Sequence, residues 1–213
     1  MSHLFRSSLL LAFFFGIDKA FSLLRQMLVA RQFGLTYEID VFNAANNIPD
    51  LLSSLISGGA LGVALIPVLS EYLQKQGRPA AWDLFARILN LAFLVTAGLA
   101  AVIALFAPIL VREVIVPGFP AEQQALTIEL MRLDLFAILI FSISGLLMAG
   151  LQANQHFLLP ALAPVLYDAG QIFGAAVLAP DSAGPLGLPG MGFGIRGLVY
   201  GVILGALLHL LIQ

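Results

Sequence analysis

The sequence predicts an all-α integral membrane protein with six transmembrane helices, the second of them bent. Three observations carry that prediction. The 213-residue chain is 60% hydrophobic and only 10% charged, with a mean hydropathy of +0.99, whereas soluble domains carry about 25% charged residues. Apolar runs of about 20 residues, the length that crosses a hydrocarbon core of roughly 30 Å as a helix, recur along the whole chain. These runs are long and uniform, unlike the alternating segments of about 10 residues that build an outer-membrane barrel.

The first run covers residues 4–32. Its apolar stretch from Leu9 continues through charged positions to Ala30 without the short apolar region and small-residue cleavage site of a signal peptide, so it is read as a retained helix. After a turn at Phe33 to Glu38, the second run, 40–72, is too long for a simple crossing. Asn43, Asn46, Asn47, Pro49 and Asp50 interrupt its first half, and Ser57-Gly58-Gly59 with Pro67 its second, which predicts a bent or partly unwound helix. Backbone freed in this way persists at membrane depth only where it lines a cavity or is buried in protein, and discontinuous helices mark transporter binding sites. The Gly58-Gly59 pair equally fits simple close packing.

The third run, 82–111, follows a polar turn at Gln74 to Pro79. The fourth, 125–153, follows Val116 to Ala121 and carries Arg132 and Asp134 one turn in, a pair that reads as interfacial. Beyond Gln152 to His156 comes the fifth, 159–179. There Asp168 and Gln171 are three residues apart on one face, either as packing glue or as cavity lining. A Gly/Pro-rich stretch, Pro180 to Gly190, leads to the sixth run, 192–212, with Gly190-Met191-Gly192-Phe193-Gly194 expected as a flexible turn. Arg6, Lys75, Arg78 and Arg87 fall on one side and Arg31, Arg112, Arg132 and Arg196 on the other. This near tie tips on the Lys75/Arg78 loop toward a cytoplasmic N-terminus.

Charged groups at bilayer depth cost at least about 2.5 to 3.5 kcal/mol each and normally face a protein interior or a watery cavity. Asp18, Lys19 and Arg25 in the first run and Asp50 in the second therefore predict a polar chamber. At 100° per residue Asp18 and Arg25 share a face, about 10 Å of rise apart, and Lys19 lies roughly 120° round from Arg25. Such a spread lines a broad wall suited to a large anionic headgroup, with Arg able to grip phosphate oxygens bidentately and Lys acting as a point charge. The competing reading has Asp18 neutralising Lys19 or Arg25 with nothing bound. Arg31 snorkels near a helix end.

Enzyme chemistry finds no footing. The chain contains no cysteine, which removes disulfides, thiolate nucleophiles and Cys-based metal sites together. There is no Gly-rich phosphate loop, no His-Glu-x-x-His, no Gly-x-Ser-x-Gly and no carboxylate pair spaced for acid/base work. His156 and His209 lack metal-ligand company. No cofactor is expected, and the basic clusters with interleaved aromatics that would bind nucleic acid are missing.

The residues that carry a likeness are Leu24-Arg25-Gln26-Met27-Leu28-Val29-Ala30-Arg31-Gln32-Phe33-Gly34, Asp40-Val41-Phe42-Asn43-Ala44-Ala45, Ile48-Pro49-Asp50-Leu51-Leu52, and Gly59-Ala60-Leu61 leading to Ile66-Pro67-Val68-Leu69-Ser70-Glu71-Tyr72. Together they resemble the opening of the MurJ/MviN lipid II flippases of the MOP superfamily. Pro117-Gly118-Phe119, Asn154-Gln155-His156-Phe157 and Pro160-Ala161-Leu162-Ala163-Pro164-Val165-Leu166-Tyr167 extend the likeness over essentially the whole chain.

The resemblance implies that residues 1–213 form one six-helix lobe of a two-lobed MOP-type flippase. Such a protein moves an undecaprenyl-pyrophosphate-linked peptidoglycan precursor across the bacterial cytoplasmic (inner) membrane by alternating access. The implied partners are that lipid-linked pyrophosphate, membrane lipids, and a missing C-terminal lobe or second half-size chain, since flippases of this kind are roughly twice as long. An N-terminal lobe, truncated or split, is the expected identity of the chain.

Arg25 and Asp40 match the family pattern, Lys19 stands where an Arg is usual, and Asp168 where an Asn is usual. With Asp18 and Asp50 these complete the expected substrate-binding set. Ser53-Ser54 replaces the usual basic pair, Gly58 an acid, and Gln26 another acid, so a MOP-type exporter of another polyprenyl-linked glycan or a drug also fits. So does a non-transporting scaffold whose polar residues only hold helices together.

Overall fold

The computed structural model describes residues 3–56 and 60–213. Among these residues seven α-helices follow one another: α1 (His3–Phe33), α2 (Tyr37–Ile56), α3 (Ala60–Lys75), α4 (Gly77–Ile109), α5 (Ala121–Ala153), α6 (Leu158–Phe173) and α7 (Ile195–Leu211). α4 runs on through a π-helical segment, Leu110–Ile115, and α6 through another, Gly174–Leu178.

The second apolar run is covered by α2 and α3. Ser57-Gly58-Gly59, where the sequence places a break, lies outside the described residues. Pro49 and Pro67 sit inside α2 and α3, and neither ends its helix. Among the described residues three helical stretches are long and apolar enough to cross a membrane, Gly77–Ile115, Ala121–Ala153 and Leu158–Leu178, and Ile195–Leu211 is a shorter apolar helix.

α5 is the axis of the bundle, packing against α2, α3, α4 and α7, while α6 pairs with α7 and carries α1 on its other side. Small residues set how closely these helices approach. Gly174 faces Gly201 across α6 and α7, and a Cβ built on either would lie 2.7 or 2.8 Å from the other's Cα. Gly170, Gly197 and Gly205 continue the seam, with the four-residue spacing by which membrane helices bring their backbones together. Large apolar side chains instead cover the outside: Leu91, Leu94, Leu105 and Phe106 of α4 are exposed, as expected where lipid is the solvent.

Backbone groups freed at membrane depth need partners. Pro108 has no N–H to return to the carbonyl of Ala104, and Arg132 Nε of α5 donates to that oxygen at 3.0 Å. At the end of α6, Met191, Phe193, Gly194 and Gly192 donate backbone hydrogen bonds to the carbonyls of Val177, Leu178, Ala179 and Pro180. The glycine-rich stretch expected as a flexible turn is therefore a backbone cap on α6. Its positive φ values at Gly192 and Gly194, 73° and 56°, explain why glycine is placed there.

Candidate functional site

The polar interior forms where α1, α2, α5 and α6 converge. Arg25 reaches from α1 to α6, its Nε 3.3 Å from Asp168 Oδ1, with 29% of the Arg25 side chain exposed against 5% for Asp168. Its Nη1 donates to Gln171 Oε1 at 2.8 Å. Asp168 and Gln171 thus share the face their spacing predicts, and that face grips the half-buried cation. The buried Arg25 Nε–H makes no hydrogen bond of good geometry, so the contact with Asp168 is ionic.

Two cavities meet at this arginine. The larger, about 270 Å³, is lined by Arg25, Gln26, Asn43 and Gln171 with Phe42 and Leu198 among its apolar walls. The smaller, about 140 Å³, is lined by Arg25, Asn46, Asp50, Ser53, Asp134 and Tyr167 among others. Arg25, Phe42 and Gln171 belong to both.

The other predicted residues separate from this centre. Lys19 pairs with Asp18 at 3.1 Å, with its side chain 79% exposed, and neither lines either cavity. The single broad wall read from the first helix is in fact two ion pairs, because Asp18 closes on its neighbour Lys19 and leaves Arg25 to Asp168. Asp40 is exposed in the first turn of α2, where a carboxylate complements the helix dipole, and it too lines neither cavity. Asp50 does reach the interior, in the smaller cavity.

Asp134, read from the sequence only as half of an interfacial pair with Arg132, is a site residue that the sequence reading missed. It is only 3% exposed and faces the smaller cavity, while Arg132 points away to Ala104. The signal was available: residues two apart on a helix stand 200° apart, so the two side chains face opposite ways whatever their depth. Asp134 instead falls on the stripe of Met131 and Ile138, both buried. His209, predicted to carry no chemistry, is buried against Ser144 and Phe141, where its Nδ1 shares a hydrogen bond with Ser144 Oγ. Among the described residues no group of three or more His, Cys, Asp or Glu side chains converges as a metal cage.

Helices packed on a central α5, three of them long and apolar enough to cross a membrane, with a cavity on one side walled by a cation, define a helical bundle of the integral-membrane class. A solved MOP superfamily transporter from Pyrococcus furiosus Vc1 superposes with a TM-score of 0.73 over 97% of this chain and 43% of that one, at 17% sequence identity. Within that class the sequence is more specific. The family described as lipid II flippase MurJ matches residues 29–213, and the chain belongs to it. A lipid II flippase MurJ from Burkholderia cenocepacia is 30% identical over 216 residues, covering 99% of this chain and 39% of that relative. A probable lipid II flippase MurJ from Vibrio cholerae is 30% identical over 221 residues, covering 99% of this chain and 40% of its own length. The chain spans about two fifths of the length of these relatives.

Proposed function

We propose that this chain supplies one lobe of a flippase that carries a lipid-linked pyrophosphate, lipid II, across the bacterial cytoplasmic membrane by alternating access, with its N-terminus on the cytoplasmic side. One observation carries the reading. Arg25 lines two cavities, held by Asp168 and Gln171, with 29% of its side chain still exposed. A phosphate cannot enter hydrocarbon unpaired. A guanidinium already desolvated and oriented offers it charge-assisted hydrogen bonds without reorganisation. The larger cavity, at about 270 Å³, is too small for a whole glycolipid headgroup, so it takes part of the headgroup while an opposing lobe supplies the rest. Lys19, exposed beside Asp18, serves as an approach charge, and Asp168 and Gln171 as positioning residues. Asp40, which lines neither cavity, and Asp50, in the smaller one, are given no direct contact with the headgroup.

The test is complementation of a flippase-depleted bacterium by the complete protein carrying Arg25→Gln in an Asp168→Asn background, which removes both charges of the pair together. Loss of growth with normal membrane levels is expected. Normal growth would remove Arg25 from substrate handling.

A second cargo reading rests on Ser53, which lines the smaller cavity at a position where related flippases carry a base. It replaces lipid II with another polyprenyl-linked glycan. Native mass spectrometry with lipid II beside other polyprenyl diphosphates separates the two by which lipid stays bound.

A further inference from the structure

Asp134 Oδ1 and Asn46 Oδ1 are buried acceptor oxygens with no hydrogen-bond partner, and both residues line the cavity of about 140 Å³ between α2, α5 and α6. Asp50 joins them from α2, Ser53 adds a hydroxyl one turn further along the same helix, and Tyr167 faces in from α6. The cations that could offset two carboxylates here are already accounted for. Among the described residues Arg25 is the one cationic side chain lining the cavity, and its nearest carboxylate is Asp168, 3.3 Å from Nε, so its charge is already largely balanced there. Arg132, though only two residues from Asp134, bonds Ala104 on the opposite face of α5. The charged and titratable groups facing Asp134 are thus Asp50 from α2, Arg25 from α1 and Tyr167 from α6; α7 contributes Val202 to the lining.

A carboxylate 3% exposed with an orphaned oxygen is not stable as a bare anion at membrane depth. It needs a positive charge delivered to that oxygen. The surrounding atoms, two carboxylates, an amide carbonyl oxygen and two hydroxyls, are hard oxygen donors that suit a small cation. With fewer than three carboxylate or imidazole ligands, the charge they can balance is small.

We infer that the Asp134/Asp50/Asn46 pocket takes up one monovalent cation, a proton or a sodium ion, and is the ion-binding site of this lobe. Its ligand is held by Asp134 Oδ1 and Asn46 Oδ1, with Asp50 supplying the second negative charge. The pocket shares Arg25, Phe42 and Gln171 with the larger cavity, so a cation loaded there raises the positive potential at the arginine. Cation and diphosphate then favour each other's binding, and by linkage the effect is reciprocal. The site stands whether or not lipid II is the cargo, because its test reads ion binding and not transport.

The experiment uses the chain purified into nanodiscs. Difference infrared spectroscopy is recorded on exchanging choline for sodium at constant ionic strength and pH, and separately on a pH titration without sodium. A saturable sodium-induced shift of a carboxylate band, absent in Asp134→Asn, establishes sodium. A protonated-carboxyl C=O band that disappears as pH rises, absent in Asp134→Asn and insensitive to sodium, establishes the proton. Asp50→Asn, at a more exposed position, is the second variant and guards against misfolding of the first. It is expected to weaken whichever response is seen by about tenfold, because affinity in oxygen-ligand sites follows the ligand charge count. A wild-type protein that shows neither band, or a response that survives unchanged in both variants, overturns the inference.

Discussion

Removing the Arg25 charge tests whether the buried ion pair holds the lobe together or serves a ligand. Arg25→Ala leaves Asp168, with only 5% of its side chain exposed, as an uncompensated anion and strips Gln171 of its 2.8 Å partner. Breaking one side of a buried pair costs about 3–5 kcal/mol. Because Arg25 itself is 29% exposed, the lower end, about 3 kcal/mol, is expected. Asp168→Asn should cost less, since the guanidinium left behind reaches a cavity and keeps its bond to Gln171. The double change Arg25→Gln with Asp168→Asn removes both charges together and should recover most of the loss, giving a coupling energy of about 2 kcal/mol or more. Denaturant unfolding in detergent measures the stability of each variant, and complementation by the complete protein measures function. The reasoning expects stability to return in the double variant while growth does not. A double variant that regains both would show that the pair is structural and that no anion meets Arg25.

Other consequences are independent of that pair. Gly201→Ala drives a Cβ to 2.8 Å from the Gly174 Cα, short of ordinary carbon contact by about 1 Å, and should cost about 1–3 kcal/mol. Gly98→Ala, where a Cβ meets nothing within 4 Å, should be neutral or slightly stabilising in the same unfolding assay. Arg132→Leu should destabilise by about 1–3 kcal/mol by stranding the Ala104 carbonyl, and the cost should fall in a Pro108→Ala background that restores the helical donor; an equal cost in both backgrounds would sink this account. Lys19→Arg should support full complementation, because the side chain is 79% exposed and needs only its charge; a dead variant would point to a site shaped for an ammonium.

Much of the helical layout was legible because hydrocarbon leaves few alternatives: a long apolar run must satisfy its own backbone, and only a helix does so within one segment. The Asp168/Gln171 face was legible for the same reason, since a three-residue spacing fixes a shared side of a helix. What the spacing could not show is which neighbour each charge would choose. Asp18 stood as close in angle to Arg25 as to any partner, yet it paired with Lys19, because Arg25 meets α6 and that contact is set by tertiary packing. The role of Asp134 was hidden by reading it with Arg132 as neighbours in sequence when they are opposites on the helix. The seam of Gly170, Gly174, Gly197, Gly201 and Gly205 was written at four-residue intervals and went unread, since only the facing helix reveals that the intervals match.

The two cavities gain meaning from their shared wall. A carrier must bind its cargo in one orientation and release it in the other, so a static cationic pocket that simply held a diphosphate would be a trap. Arg25 is tied to Asp168 and shares a cavity with the Asp50 and Asp134 carboxylates, so under the proposed function its availability to a phosphate would depend on what those carboxylates hold. With their negative charge uncompensated they compete with the phosphate for the guanidinium, and with a cation bound they do not. Release of the cation into a compartment where it is scarce would then weaken the grip on the diphosphate by the same differential free energy that loading supplied. An acidic pocket set behind an arginine is thus a means of making anion affinity conditional, which a lone arginine in an apolar bundle could not provide.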